Sequence, residues 1–281
     1  MTEKNADQRD FWTDSAGRIW VDQRAAMDAT LAGVLDGTLT RAQLETGHSV
    51  LDIGCGAGTS TLAVARTIGE TGHVTGIDIS TTLLEAAQAR ALAQTNAAFL
   101  AADAQTHAFV ADSADRIVSR FGVMFFDDSV AAFANMATAL RRDGRLCFSA
   151  WGAIDQNPFF TLPAQVARQI IGPVPRSDPD GPGPFAFRDV TRVEGILLAA
   201  GLDARTDVVE ETLHMPDGPL ALAQTMCRIG PAHMALTHHN AEPAQKELLL
   251  EALVARLEPF SDADGTRLPA QINYVTATKS T

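Results

Sequence analysis

Val50-Leu51-Asp52-Ile53-Gly54-Cys55-Gly56-Ala57-Gly58-Thr59 runs from an apolar strand into a Gly-x-Gly-x-Gly turn and opens a helix at Thr59 or Ser60. Glycine lets the chain turn tightly and lets a ligand approach the main chain with no Cβ in the way. The helix that follows aims free N–H groups at whatever rests on the turn. The next strand, Val74-Thr75-Gly76-Ile77-Asp78, ends in an acid twenty positions after Gly58. An acid there is placed to accept hydrogen bonds from both hydroxyls of a ribose. Dinucleotide sites carry Gly-x-Gly-x-x-Gly, the third glycine packing beneath a pyrophosphate. Here the third glycine comes one residue early and Asp52 stands just before the turn. A carboxylate beside the loop suits a cationic ligand and repels a pyrophosphate.

Outward from this segment, β-rich runs at 49–53, 74–79, 98–101, 116–119 and 146–150 alternate with helical stretches at 60–68, 82–94 and 129–140. Asp143-Gly144 ends the last of these helices. Such alternation predicts an α/β fold: a doubly wound, mostly parallel, seven-stranded sheet with helices on both faces. Residues 6–46 read as helical, with Trp12, Ile19, Trp20, Met27, Leu31, Val34 and Leu35 near helical spacing. After Trp151 the composition shifts. The stretch 172–184, GPVPRSDPDGPGP, excludes regular helix or central strand and reads as a surface linker or a lid. A helix at 190–200 ending at Gly201, a strand near 204–211, helices at 219–227 and 243–257 and a closing strand at 272–277 follow. The expected organisation is an N-terminal helical cap over 1–45, a ligand-binding Rossmann-like core over 46–151, and a lid loop, helices and closing strands over 152–281.

The chain has 281 residues, 46% hydrophobic and 20% charged, enough for a sizeable core. Its net charge is -12, from 34 acidic and 22 basic residues, with no Lys/Arg-rich run, so a nucleic-acid partner is not expected. Three cysteines, Cys55, Cys147 and Cys227, lie far apart and form no CxxC pair, giving neither a disulfide framework nor a zinc knuckle. No apolar run reaches the roughly 20 residues a bilayer span needs. Residues 1–10 are polar, unlike a signal peptide. A cytoplasmic protein without a membrane span is the expectation.

The strand, acid, glycine loop, helix, strand and second acid together resemble the class I, Rossmann-like S-adenosylmethionine-dependent methyltransferases. Ala101-Ala102-Asp103-Ala104 resembles that family's adenine-binding acid motif, 115–123 its fourth-strand motif, and 140–146 its helix–turn–fifth-strand signature, with Arg142-Asp143 where Pro-Gly is usual. The likeness covers about residues 45 to 150; residues 1–45 look like the N-terminal helices of the small-molecule, ubiquinone/menaquinone-biosynthesis-like branch. It implies a cofactor site made of Asp52, Gly54, Cys55, Gly56, Gly58, Asp78, Ile79, Ala102, Asp103, Ala104, Arg120 and Phe121. In it Asp103 would accept from the adenine amino group and Ile79 would pack on the ring. The implied activity is methyl transfer from S-adenosyl-L-methionine to O, N or C of a small, hydrophobic or aromatic metabolite. A nucleotide-linked oxidoreductase on a related fold, or a protein that binds S-adenosylmethionine without turnover, are the alternatives.

An activated methyl donor needs chiefly alignment and exclusion of water, so a catalytic side chain is not obligatory. Where a general base is used, histidine is the usual one. His214, after a predicted strand, is the best-placed candidate. His48, before the first strand, reads as solvent-exposed, His107 as a loop cap, and His233, His238 and His239 as a surface cluster without metal-ligand spacing; no metal is expected. Trp20, Phe125 and Trp151 are the candidate acceptor-pocket residues, the last two near the carboxyl ends of strands. Asn157-Pro158-Phe159-Phe160 looks like the loop by which amino-methylating nucleic-acid enzymes hold a base, but it follows the fifth strand where theirs follows the fourth.

Overall fold

A computed structural model of the chain describes residues 5–175 and 178–280. Four helices open it: α1 (Ala6–Thr13), α2 (Ser15–Asp22), α3 (Arg24–Thr30) and α4 (Ala32–Ala42). Alternation then begins: β1 (Ser49–Ile53), α5 (Thr59–Ile68), β2 (His73–Asp78), α6 (Thr81–Arg90), β3 (Ala97–Ala101), β4 (Ala114–Arg120), α7 (Ser129–Ala139) and β5 (Leu140–Trp151). The remainder is α8 (Pro158–Ile170), α9 (Val190–Ala199), β6 (Leu202–Met215), α10 (Gly218–Met226), α11 (Gly230–His238), α12 (Pro243–Leu257), the two-residue β7 (Ser261–Asp262) and β8 (Gly265–Lys279).

The sheet runs β3-β2-β1-β4-β5-β8-β6, with β7 paired to β8 outside this path. Strands β1 to β5 pair in parallel, and β8 is antiparallel to both β5 and β6. Side chains on a strand alternate between faces, and the two cores follow that alternation. On β4, Ile117 joins the core that includes Phe133 of α7 and Val193 of α9, while Val118 joins Val64 of α5 and Ala42 of α4. Phe133, Phe148 and Phe187 form the centre of the first core, with ring centroids 5.5 to 5.9 Å apart.

Local chemistry sets the ends. Ser80 caps α6 by accepting from Leu83 N–H at 3.2 Å, Asp128 caps α7 from Ala131 N–H at 2.9 Å, and Glu242 with Gln245 makes a capping box on α12. Gly58, at φ 82°, turns the chain into α5.

Three details go beyond the expectations. The N-terminal segment divides: α4 packs on β4, β5, β6 and β8, whereas α1 and α2 lie over α6. The helix read as ending at Asp143-Gly144 stops at Ala139, and β5 starts at once. There 141–144 form a bulge, since pairing jumps from Ala114↔Leu140 to Arg116↔Arg145. The stretch 172–184 is tied down by Gly183 N–H to Met124 O at 3.0 Å and by the Arg188–Asp180 ion pair at 2.9 Å; Arg176 and Ser177 lie outside the described residues. Sequence reading also missed α8 and α11. Among the described residues no helix is long and apolar enough to cross a membrane.

Candidate functional site

A cavity of about 460 Å³ opens over the carboxyl ends of β1, β2 and β4. That is the crevice where open α/β sheets bind ligands, because loops diverge there on either side of the switch in strand order. Its floor is the glycine turn. Asp78 holds that turn in place: Oδ2 accepts from Gly56 N–H at 2.8 Å and Oδ1 from Ser80 N–H at 2.9 Å. Burial pushes the Asp78 carboxyl up, and these backbone donors pull against that rise. The next wall carries Ile79, Ala102, Asp103 and Ala104. Asp103 accepts from Gln105 N–H at 2.9 Å and from the Asn5 amide at 2.9 Å, and the same Asn5 accepts from Asp127 N–H at 2.8 Å. The N-terminal helices are thus latched over this wall, with Ser80 and Thr82 hydroxyls donating to the carbonyls of Trp12 and Thr13.

At the end of β4, Phe121 takes φ 65°, a conformation costly for a bulky residue and a mark of a functionally shaped turn. Its ring stacks on Trp151 at 4.5 Å and 7°, and Trp151 lies parallel to Phe159 at 6.1 Å. Phe160 meets Trp151 edge-on, and Trp12 meets Trp20 and Phe125 edge-on. All of these rings line the cavity, giving it a wide aromatic wall. Arg120 reaches the cavity too. One of its terminal nitrogens pairs with Asp28 at 3.2 Å while Nη1 is buried with no partner among the described residues. Asp28 also receives Arg24 at 3.4 Å and the Thr59 hydroxyl at 2.7 Å, tying α3 to the glycine turn.

Of the residues singled out from sequence, Gly54, Cys55, Gly56, Asp78, Ile79, Ala102, Asp103, Ala104, Arg120, Phe121, Trp20, Phe125 and Trp151 line this one cavity. Asp52 and Gly58 do not. Asp52 is fully buried beneath the turn and accepts from the Ser60 and Thr61 hydroxyls, both at 2.6 Å, so it fixes the start of α5. Gly58 packs against Ala87 and Phe99. His214 stands outside the cavity, its Nε2 against Asp264 O at 2.8 Å. The reason is topological: β6 is the edge strand beyond β8, so its carboxyl end is two strands from β5. The opposite correction applies to His233, read as surface: it lines the cavity from α11. Phe159 and Phe160, from the motif set aside in sequence, line it as well, while Asn157 is buried and bonded to Ala153 O at 2.8 Å. His48 is only half-buried and pairs with Glu45. Sequence reasoning missed Asn5, just before α1, and Arg24 and Asp28 on α3, which only tertiary packing brings to the site. Among the described residues no three His, Cys, Asp or Glu side chains converge as a metal site.

Burial pushes the Asp52 carboxyl up to about 6, against the pull of Ser60 and Thr61. The folded chain then keeps a proton that an unfolded carboxyl, near 3.9, releases. Stability from this group is present below about pH 4 and lost as pH rises through 6. Between pH 4 and 7, wild type is expected to lose on the order of 3 kcal/mol relative to Asp52→Asn. Chemical denaturation at both pH values measures it, and a pH-independent difference would rule it out.

Residues 50–144 match a family model described as a methyltransferase domain. The chain is 37% identical over 107 residues to the aklanonic acid methyltransferase DauC of Streptomyces sp. strain C5, an alignment spanning 37% of this chain and 49% of that protein. It is 33% identical over 98 residues to the demethylmenaquinone methyltransferase of Staphylococcus aureus strain MRSA252, spanning 35% of this chain and 41% of that one. The chain therefore matches less than half the length of either curated relative. In structure it resembles Haemonchus contortus phosphoethanolamine N-methyltransferase 2, solved with phosphomonomethylethanolamine and S-adenosylhomocysteine. That likeness has a TM-score of 0.59 at 17% identity and covers 97% of this chain and 60% of the other. At such identity it establishes a shared fold.

Proposed function

We propose that this chain, whose residues 50–144 carry the methyltransferase-domain signature and whose sheet has the class I fold, transfers a methyl group from S-adenosyl-L-methionine to a small, flat, aromatic acceptor. The observation that carries the reading is one continuous cavity joining the glycine turn and Asp78 to a wall of parallel aromatic rings. The site fits the cofactor in three places. Asp78 keeps lone pairs beyond its two backbone donors for a ribose. A Cβ on Gly56 would meet nothing within 4 Å, so the turn leaves open space for a ligand against the main chain. Nη1 of Arg120, which has no partner among the described residues, suits the cofactor's carboxylate.

The cofactor, when bound, supplies an activated methyl group. The chain's part is to hold it on the turn, stack the acceptor against Trp151, Phe121 and Phe160, and close α1 and α2 over both to exclude water. The division into an N-terminal helical segment (1–45) whose α1 and α2 form the cap, a core (46–151) and closing elements (152–281) belongs to the same proposal. So does a small-molecule acceptor rather than a nucleic acid, supported by the net charge of -12. A cytoplasmic setting is supported by three unpaired cysteines. The relatives' acceptors, aklanonic acid and demethylmenaquinone, are consistent with a flat aromatic acceptor here. The test is transfer of labelled methyl from S-adenosylmethionine to a panel of polycyclic phenols and quinols, with NAD binding as control. Transfer to any of them supports the reading; NAD binding without S-adenosylmethionine binding sinks it in favour of an oxidoreductase.

A further inference from the structure

Among the described residues, eight titratable side chains line the cavity: Arg24, Asp28, Cys55, Asp78, Asp103, Arg120, Arg228 and His233. Only a basic group whose lone pair is unengaged can take a proton from an acceptor. Asp28 is held by Arg24, Arg120 and Thr59, Asp78 by two backbone N–H groups and, in the reading above, by the ribose, and Asp103 by Asn5 and Gln105. Burial drives the Cys55 thiol far above the usual range, which makes it inert. The arginines are permanent cations. His233 is left. No hydrogen bond or ion pair engages its ring among the described residues, and α11, which carries it, packs against α8, source of Phe159 and Phe160.

We propose that His233 is the catalytic base, and that the acceptor is accordingly a phenolic hydroxyl. The proposal rests on the methyltransferase reading above. The acceptor oxygen bonds to the methyl carbon, the electron pair of the broken S–C bond goes to sulfur, and the hydroxyl proton passes to an imidazole nitrogen. His233 is half-buried and also lines an adjoining cleft of about 450 Å³, so the proton has a way to bulk water. A base is needed for a hydroxyl and superfluous for an ionised carboxylate, so an unengaged imidazole favours a hydroxyl, and the aromatic wall favours that hydroxyl on a ring. Among the described residues, the other titratable groups around it are Cys227 and Lys246 in the cleft and Arg228 in the cavity; α8 and α10 contribute no charged lining residue to either. Arg228 and Lys246 also favour an ionised phenol, and they remain when His233 is replaced, so the variant isolates the imidazole.

The probe is alizarin, a dihydroxyanthraquinone whose visible absorption reports ionisation of its phenol, added to protein saturated with S-adenosylhomocysteine. Alizarin bound to wild type is expected to ionise at about tenfold higher proton concentration than alizarin bound to His233→Leu. Equal ionisation in the two proteins, or no binding of alizarin to the loaded wild type, overturns the proposal. Failure of S-adenosylhomocysteine itself to bind overturns the underlying reading instead. Should His233→Leu not fold by circular dichroism, His233→Met carries the same comparison.

Discussion

Asp78→Ala is expected to weaken binding of S-adenosylhomocysteine about 100-fold, or about 2.7 kcal/mol. Two charge-assisted hydrogen bonds to a ribose contribute about 1.5–3 kcal/mol each, so the lower end of that range already gives the effect. Asp78 has a second task that adds to the loss. Its two oxygens accept from Gly56 and Ser80, and Ser80 in turn caps α6, so the carboxylate fixes the shape of the turn before any ligand arrives. Asp78→Asn separates the two roles poorly, because its amide NH₂ would face one of those backbone donors; a loss of tenfold or more is expected there too. Calorimetry with thermal unfolding of both variants reads binding and stability apart. A loss under threefold for Asp78→Ala would remove the ribose from this end of the cavity. Acid should weaken the wild type as well, since burial raises the Asp78 carboxyl and a protonated group loses its charge-assisted bonds.

Asp78 was legible because its signal is local: a strand, a glycine turn and an acid at fixed spacing carry their own geometry. The same held for Gly56, whose N–H meets Asp78 across the turn that the spacing defines. His214 shows where that legibility ends. It does follow a strand, and its strand does run parallel to β5, but β8 lies between them. No periodicity within 202–215 encodes which neighbour the strand will take. His233 and Asn5 were illegible for the converse reason. One sits in a polar-looking run that packing folds into α11, and the other reaches Asp103 across 98 residues of chain. The aromatic wall was half legible: Trp151 ends a recognisable strand, whereas Phe159 and Phe160 needed the unforeseen α8 to carry them back over it.

At Gly122 one methyl group is expected to damage both stability and the shape of the site. A Cβ there would stand 2.6 Å from Ile53 O and 2.7 Å from Gly54 Cα, and a Cβ on Gly54 would stand 2.5 Å from Gly122 Cα. The turns after β1 and β4 therefore cross backbone on backbone, and a backbone cannot swing aside as a side chain does. Gly122→Ala is expected to cost about 2–4 kcal/mol of stability through overpacking. It should also cost binding, because relief of the clash must shift either the glycine turn or Phe121, whose ring anchors the Trp151 stack. Gly56→Ala supplies the contrast. Its φ of 54° makes alanine strained there by about 1–2 kcal/mol, yet nothing lies within 4 Å of the added carbon, which projects into open space. Binding of S-adenosylhomocysteine should fall at least tenfold in both variants, with the larger drop in unfolding free energy confined to Gly122→Ala. If Gly122→Ala instead unfolds like the wild type and binds as tightly, the crossing of the two turns does not shape the site.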